Sequence, residues 1–132
     1  MAISFDKAFG IHPESLALRS KQAEVIAGNI ANADTPGYKA KGMDFQKMLS
    51  QAAQKQQAGM TRTHEKHFDV RIETNNGLEF RIPNQPDTGD GNTVDVQVER
   101  NLYLDNSMHY QASLQFLNGK IKGLRKAITG GQ

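Results

Sequence analysis

Apolar residues near the end of the chain fall into one register. Tyr103, Ser107, Tyr110, Leu114, Leu117, Ile121, Leu124 and Ile128 follow one another in alternating steps of four and three. That is the a/d spacing of a helix made to lie along another helix, and only Ser107 departs from the apolar rule. No Pro interrupts the run. Gly119 and Gly123 each weaken it by about 1 kcal/mol relative to Ala. Their four-residue spacing would let another backbone approach closely. An ordinary amphipathic core helix carries a similar stripe, but the length and strictness of the register favour a coiled-coil-like seam.

The partner for that seam lies near the start. Pro13 disfavours helix at His12 and suits the first turn of a new one, where Glu14 also complements the helix dipole. Leu16, Ala23 and Ile30 recur every seven residues, with Ile26 and Ala27 between them and Leu18 and Val25 widening the stripe. The spacing predicts a helix from Pro13 to Asn32, about 30 Å long. Leu16, Ala23, Ile26 and Ile30 are then expected to face Tyr110, Leu114, Leu117, Ile121, Leu124 and Ile128. A short apolar lead with Ile3, Phe5, Phe9 and Ile11 precedes this helix. Thr35-Pro36-Gly37-Tyr38 follows it, with Pro and Gly at the central positions of a type II turn.

The middle of the chain changes period. Asp44 can cap a helix over 44–57 whose one face is Phe45, Met48, Leu49, Ala52 and Ala53. Residues 54–66 are polar and aperiodic, as in a linker. Phe68, Val70 and Ile72 alternate with charges, Asn75-Asn76-Gly77 follows, and Leu78, Phe80 and Ile82 alternate again. Asn-Gly between two alternating runs predicts a β-hairpin, ended by Pro83 and Pro86. Val94, Val96 and Val98 also alternate, but the helical register runs back through Val96. Asp95 and Glu99 suit a helix N-terminus, so a helix is expected from about residue 93. The fold expected is mainly α, with long N- and C-terminal helices packed as a coiled-coil-like pair and a small β-hairpin insertion in the middle. The expected segments are 1–53 (helical, with the turn), 54–92 (linker and hairpin, about 68–82) and 93–132 (long helix), the two ends forming one helical domain.

Composition narrows the chemistry. With no Cys among 132 residues there is no disulfide framework, thiolate metal site or Cys nucleophile. Hydrophobic residues make up 37%, below the roughly 45–50% of a usual globular chain, so the core should be thin. A net charge of +2 argues against nucleic acid. No run approaches the ~18 apolar residues of a membrane helix. Asp6, Lys7, His12, Glu14 and Arg19 break any secretory h-region. The four His residues form no catalytic constellation. His64 and His67 beside Glu65 and Asp69 fall short of a metal-ligand set. Asp87-Thr88-Gly89-Asp90-Gly91-Asn92 lacks the later ligands of a calcium loop and reads as a turn. The pattern is that of a protein without cofactor, metal or enzymatic activity. Lys120, Lys122, Arg125 and Lys126 compensate the dipole at the helix end or meet an acidic surface. A non-polymerising coiled-coil adaptor fits the same pattern.

The segment Asn29-Ile30-Ala31-Asn32-Ala33-Asp34-Thr35-Pro36-Gly37-Tyr38-Lys39 resembles the N-terminal signature of the bacterial flagellar rod and hook proteins. Lys41-Gly42-Met43-Asp44-Phe45 resembles the segment that follows it. Much of that family has an acidic residue where Gly42 stands and often Asn where Gly28 stands. Asp90-Gly91-Asn92-Thr93-Val94-Asp95, Asp105-Asn106-Ser107-Met108-His109-Tyr110-Gln111, Leu117 through Leu124, and Gly130-Gly131 are similar to the C-terminal signature of the same family. The resemblance implies a structural subunit of the proximal basal-body rod, built by helix packing into a tube that transmits torque. It implies self-association, other rod subunits, the basal-body membrane ring and the export gate as partners. It further implies export through the flagellar type III apparatus without a cleavable signal peptide, and a periplasmic location. Asn29, Ile30, Asn32, Thr35, Pro36, Gly37 and Tyr38 would be the assembly motif, and Phe45 with Leu49 an export-gate motif.

A thin core and two long helices predict that the terminal helices order fully only on packing against neighbours. Circular dichroism of the size-fractionated monomer should show low helicity; a compact, strongly helical monomer would mean that the two helices suffice alone.

Overall fold

The computed structural model describes residues 8–57, 77–83 and 89–130. Three helices and two short strands appear among them: α1 (His12–Ala31), β1 (Lys41–Met43), α2 (Phe45–Gln57), β2 (Leu78–Phe80) and α3 (Val96–Ile128). The mainly helical architecture with a small antiparallel sheet in the middle agrees with the sequence pattern. Ile3, Phe5, His64, His67, Phe68, Val70, Ile72, Asn75, Asn76, Pro86 and Gly131 lie outside the described residues.

α1 begins with Pro13 in its first turn and ends at Asn32, whose N–H bonds back to the carbonyls of Gly28 and Asn29. The turn beyond it closes with Tyr38 N donating to Thr35 O at 3.2 Å. Gly37 sits at φ 73°, a left-handed conformation that the third residue of a type II turn demands. α2 is capped by Asp44, whose carboxylate accepts from Lys47 N at 3.0 Å. α3 is capped by Asp95, which accepts from Gln97 N at 2.9 Å and Val98 N at 3.3 Å. The helix therefore starts a few residues later than the sequence places it. The valine alternation does not make a strand, because Asp95 satisfies the first free N–H groups of a helix.

α1 and α3 run antiparallel along each other. His12 stacks near Phe116 with ring centroids 6.5 Å apart. The hydroxyls of Ser15 and Ser113 lie 3.5 Å apart. Asn106 Nδ2 donates to Arg19 O at 2.9 Å, and Asn29 reaches Glu99 at the far end. α2 folds back onto α1, where the Arg19 guanidinium lies 3.6 Å from the centroid of the Phe45 ring.

The first run of the expected hairpin, residues 68–72, lies outside the described residues. β2 pairs antiparallel with β1, in the register Lys41↔Phe80, Gly42↔Glu79 and Met43↔Leu78. The partner of Leu78–Phe80 among the described residues is thus the segment after the type II turn. A Cβ at Gly42 would come 3.0 Å from Cγ of the Arg81 side chain, which would have to shift by a few tenths of an ångström. The apolar core is small, as the composition implied. Leu18, Ile26, Ala40 and Val94 are its buried hydrophobic residues among those described, and Asn29, Asn92, Glu99 and Asn106 are buried beside them.

Asp95→Ala removes the cap of the longest helix. The expected loss is about 1 kcal/mol, read as a lower unfolding midpoint by circular dichroism in trimethylamine N-oxide, which favours the compact state.

Candidate assembly junction

The two ends of the chain meet where α1 stops and α3 starts. The carbonyls at the helix exit can accept bonds from outside the helix, and Asn92 ties three of them together. Its Nδ2 donates to Asn32 O, Ala33 O and Thr35 O at 2.9, 2.7 and 2.9 Å. Its Oδ1 accepts from Val94 N at 2.8 Å, and its own N–H is held by Asp90 Oδ1 at 2.9 Å. Backbone bonds extend the tie: Gly37 N donates to Asp90 O at 2.8 Å and Thr93 N to Tyr38 O at 3.0 Å. The Thr93 hydroxyl accepts from Ala40 N at 2.8 Å, and Lys39 Nζ donates to Gly91 O at 2.6 Å. The segment 90–93 is in effect a strap across the type II turn.

One turn earlier on α1, Asn29 is fully buried and uses both ends of its amide. Nδ2 donates to Lys41 O at 2.7 Å and to Glu99 at 3.2 Å. Oδ1 accepts from Lys41 N at 3.0 Å and from the Tyr38 hydroxyl at 3.3 Å. Helix end, turn and β1 are thereby fixed by one side chain. Glu99 is 1% exposed. Both of its oxygens take the Arg81 guanidinium, at 2.8 Å and 2.9 Å. Arg81 also continues the sheet, its N–H donating to Ala40 O at 2.9 Å. A carboxylate in this position needs paired donors to be buried at all. The sequence had suggested only a helix-dipole role for Glu99.

Outside the junction, charge plays a smaller part. Burial pushes the Arg19 guanidinium below its ordinary range, with Asp105 acting against this. The hydrogen bond from Lys47 to Glu79 at 2.8 Å raises the Lys47 pKa on an open surface. Among the described residues no three acids and histidines gather as metal ligands, and no helix is long and apolar enough to cross a membrane.

The family profile described as "Flagella basal body rod protein" matches residues 11–39, which contain α1 and the turn. Over the whole length of both chains, the sequence is 56% identical to flagellar basal body rod protein FlgB of Aeromonas hydrophila. It is 41% identical to FlgB of Escherichia coli K12 over 99% of each chain, and 37% identical to FlgB of Salmonella typhimurium over 96% of each. The chain belongs to the FlgB family of flagellar basal body rod proteins. The N-terminal and C-terminal stretches that carry the FlgB resemblance in sequence are thus the two halves of one hydrogen-bonded junction.

Within this FlgB fold the proposed assembly-motif residues separate by role. Asn29 is at the centre of the junction and Tyr38 bonds to it. Asn32 Nδ2 donates back to Gly28 O at 2.8 Å and its Oδ1 accepts the Thr35 hydroxyl at 3.3 Å. Ile30 is half-buried, while Pro36 and Gly37 are exposed on the turn. Phe45 and Leu49 are half-buried on the face of α2. The expected seam residues divide by exposure. On α1, Ile26 is buried and Leu16, Ala23 and Ile30 are half-buried. On α3, the side chains bonded to α1 are Glu99, Asn106 and Ser113. They lie along one edge of the expected stripe, about 50° from its centre. Leu117 and Leu124 on that edge are half-buried, while Tyr110, Leu114, Ile121 and Ile128 are exposed. The signal that could have revealed this was polar: Ser15, Gln22 and Asn29 recur every seven on α1, as do Glu99, Asn106 and Ser113 on α3.

Glu99→Gln weakens a buried pair whose arginine keeps 28% side-chain exposure. The expected loss is about 2–4 kcal/mol of unfolding free energy in urea titration, reduced from the fully buried case by that exposure. Lys47→Gln, at the exposed pair with Glu79, should leave the titration unchanged.

Proposed function

We propose that the chain is a structural subunit of the proximal flagellar rod, assembling by helix–helix packing into a helical tube that transmits motor torque. Membership of the FlgB family supports the rod role. The observation that supports assembly is the outward stripe of α3. Tyr103, Tyr110, Leu114, Ile121 and Ile128 are exposed at the spacing of a helix-packing seam, and Ile128 is 86% exposed. Leu16, Ala23, Ile26 and Ile30 on α1 and Leu117 and Leu124 on α3 are buried or half-buried, and they form the part of the seam inside the subunit on this reading. An exposed apolar stripe of this length marks an interaction surface. Head-to-tail contacts that do not close into a ring build a filament, which is what a rod requires of one subunit type.

On this reading the neighbours are further copies, other rod subunits and, at the proximal end, the membrane ring and export gate. The location is the periplasmic part of the basal body, reached through the type III export apparatus, with Phe45 and Leu49 as the segment engaging the gate. No chemistry is assigned to the subunit. The helix exit formed by Asn29, Asn32, Thr35, Pro36, Gly37 and Tyr38 serves to present α1 and α3 in fixed relation.

Leu117→Asp is expected to abolish swimming while leaving expression intact. Because Leu117 is half-buried within the subunit, Ile128→Asp provides a second variant at a freely exposed position. Normal swimming by both would overturn the seam. A protein that binds rod relatives but never forms larger species on sizing columns would be a coiled-coil adaptor instead.

A further inference from the structure

Glu99, Asn106 and Ser113 lie along one edge of the apolar stripe of α3, about 50° from its centre at 100° per residue, and Leu117 and Leu124 share that edge. Turning the centre of the stripe onto α1 would remove more hydrocarbon from water. The helix is instead rolled toward the polar edge, with Tyr103, Leu114, Ile121 and Ile128 left exposed, and the contacts that hold it so are few and identifiable. Glu99 is bonded to Asn29 and Arg81 at the base. Asn106 is bonded to the Arg19 carbonyl in the middle, and Ser113 meets Ser15 above it. The three are spaced by seven residues, and so are Ser15, Gln22 and Asn29 opposite.

We infer that Asn106, with Glu99 and Ser113, is a positioning residue: this polar ladder sets the roll of α3 on α1 and thereby keeps Tyr103, Leu114, Ile121 and Ile128 facing outward. Asn106 is the rung that discriminates. The base rung is tied into the junction, whose strap fixes the start of α3 but not the orientation of later turns. The Ser15–Ser113 contact, at 3.5 Å, is too long to anchor a helix alone. Asn106 is 3% exposed, makes its bond to a main-chain atom that cannot move aside, and leaves its Oδ1 buried without a protein partner. The Nε of Arg19, the residue whose carbonyl Asn106 holds, is buried in the same condition. A buried amide kept at such a cost in a helix seam is the device that coiled coils use to choose one arrangement over others. The inference concerns the helix pair itself and stands whether or not the stripe packs on neighbouring rod subunits.

Disulfide mapping tests it directly, because the chain has no cysteine of its own. Ser15→Cys with Ser113→Cys reports the observed roll, since those hydroxyls are already within 3.5 Å. Leu16→Cys with Leu114→Cys reports the apolar roll. Both pairs are oxidised in the full-length monomer in trimethylamine N-oxide. The first pair is expected to form at least about tenfold faster, a difference of ~1.4 kcal/mol in effective closure. Asn106→Ala should reverse that ratio, and Asn106→Gln, which retains the amide, should restore it. General loss of stability brings the ratio toward one, because both pairs close loops of equal length in an unfolded chain, but does not reverse it. An unchanged ratio in Asn106→Ala, or one that falls only to one, overturns the inference, as does a ratio near one in the parent chain.

Discussion

A buried amide with every polar atom engaged holds this fold together. Asn29 joins the last turn of α1 to the turn residue Tyr38, to both main-chain groups of Lys41 and to Glu99. The rest follows from it. β1 can pair with β2 because Asn29 has placed Lys41. Arg81, on the residue after β2, can reach Glu99 because that pairing sets its height. α3 starts in the right place because Glu99 is held at its base. Buried polar groups are safe only when fully satisfied. The main-chain ties between 37–40 and 90–93, and the Asn92 amide on the carbonyls at the end of α1, complete that condition here.

Apolar burial is subordinate in this arrangement. Leu18 and Ile26 lie in the helix pair, while Ala40 and Val94 lie in the junction, and these are the buried hydrophobic residues among those described. Specific geometry therefore comes from hydrogen bonds and one ion pair, which are directional, while part of the non-directional hydrophobic term is left on the outside of α3. A subunit built this way has a definite shape and an unsatisfied surface at once, the combination that interlocking parts of a larger body need.

The helices, their caps and the type II turn were legible in the sequence because each depends on local chemistry. Pro13, Asp44, Asp95 and Pro36-Gly37 act on groups within a few positions of themselves. The helix pairing was legible as well, since a three–four spacing announces that a helix has a neighbour. What could not be read was which edge of the α3 stripe faces that neighbour. Apolar periodicity identifies a surface that wants to be dry, but buried polar side chains such as Glu99 and Asn106 decide how the helix is rolled. The role of Glu99 was hidden for a related reason: its partner Arg81 lies 18 residues away across a sheet that pairs non-adjacent segments. Asn92 stood out only as a turn residue, and its three carbonyl partners lie 57 to 60 positions upstream.

That separation has a bearing on the order in which the molecule takes shape. The end of α1, the turn and β1 belong to the first third of the chain, yet the groups that finish them come from residues 90–99. Until that stretch is available, the carbonyls at 32, 33 and 35 lack the Asn92 amide, and Asn29 lacks its carboxylate partner. Closing a loop of this length adds entropy loss that only the completed set of bonds repays. A chain delivered progressively from its N-terminus would pass its first half through any narrow conduit with no locked tertiary structure, and would set into its final form only when the second motif emerged.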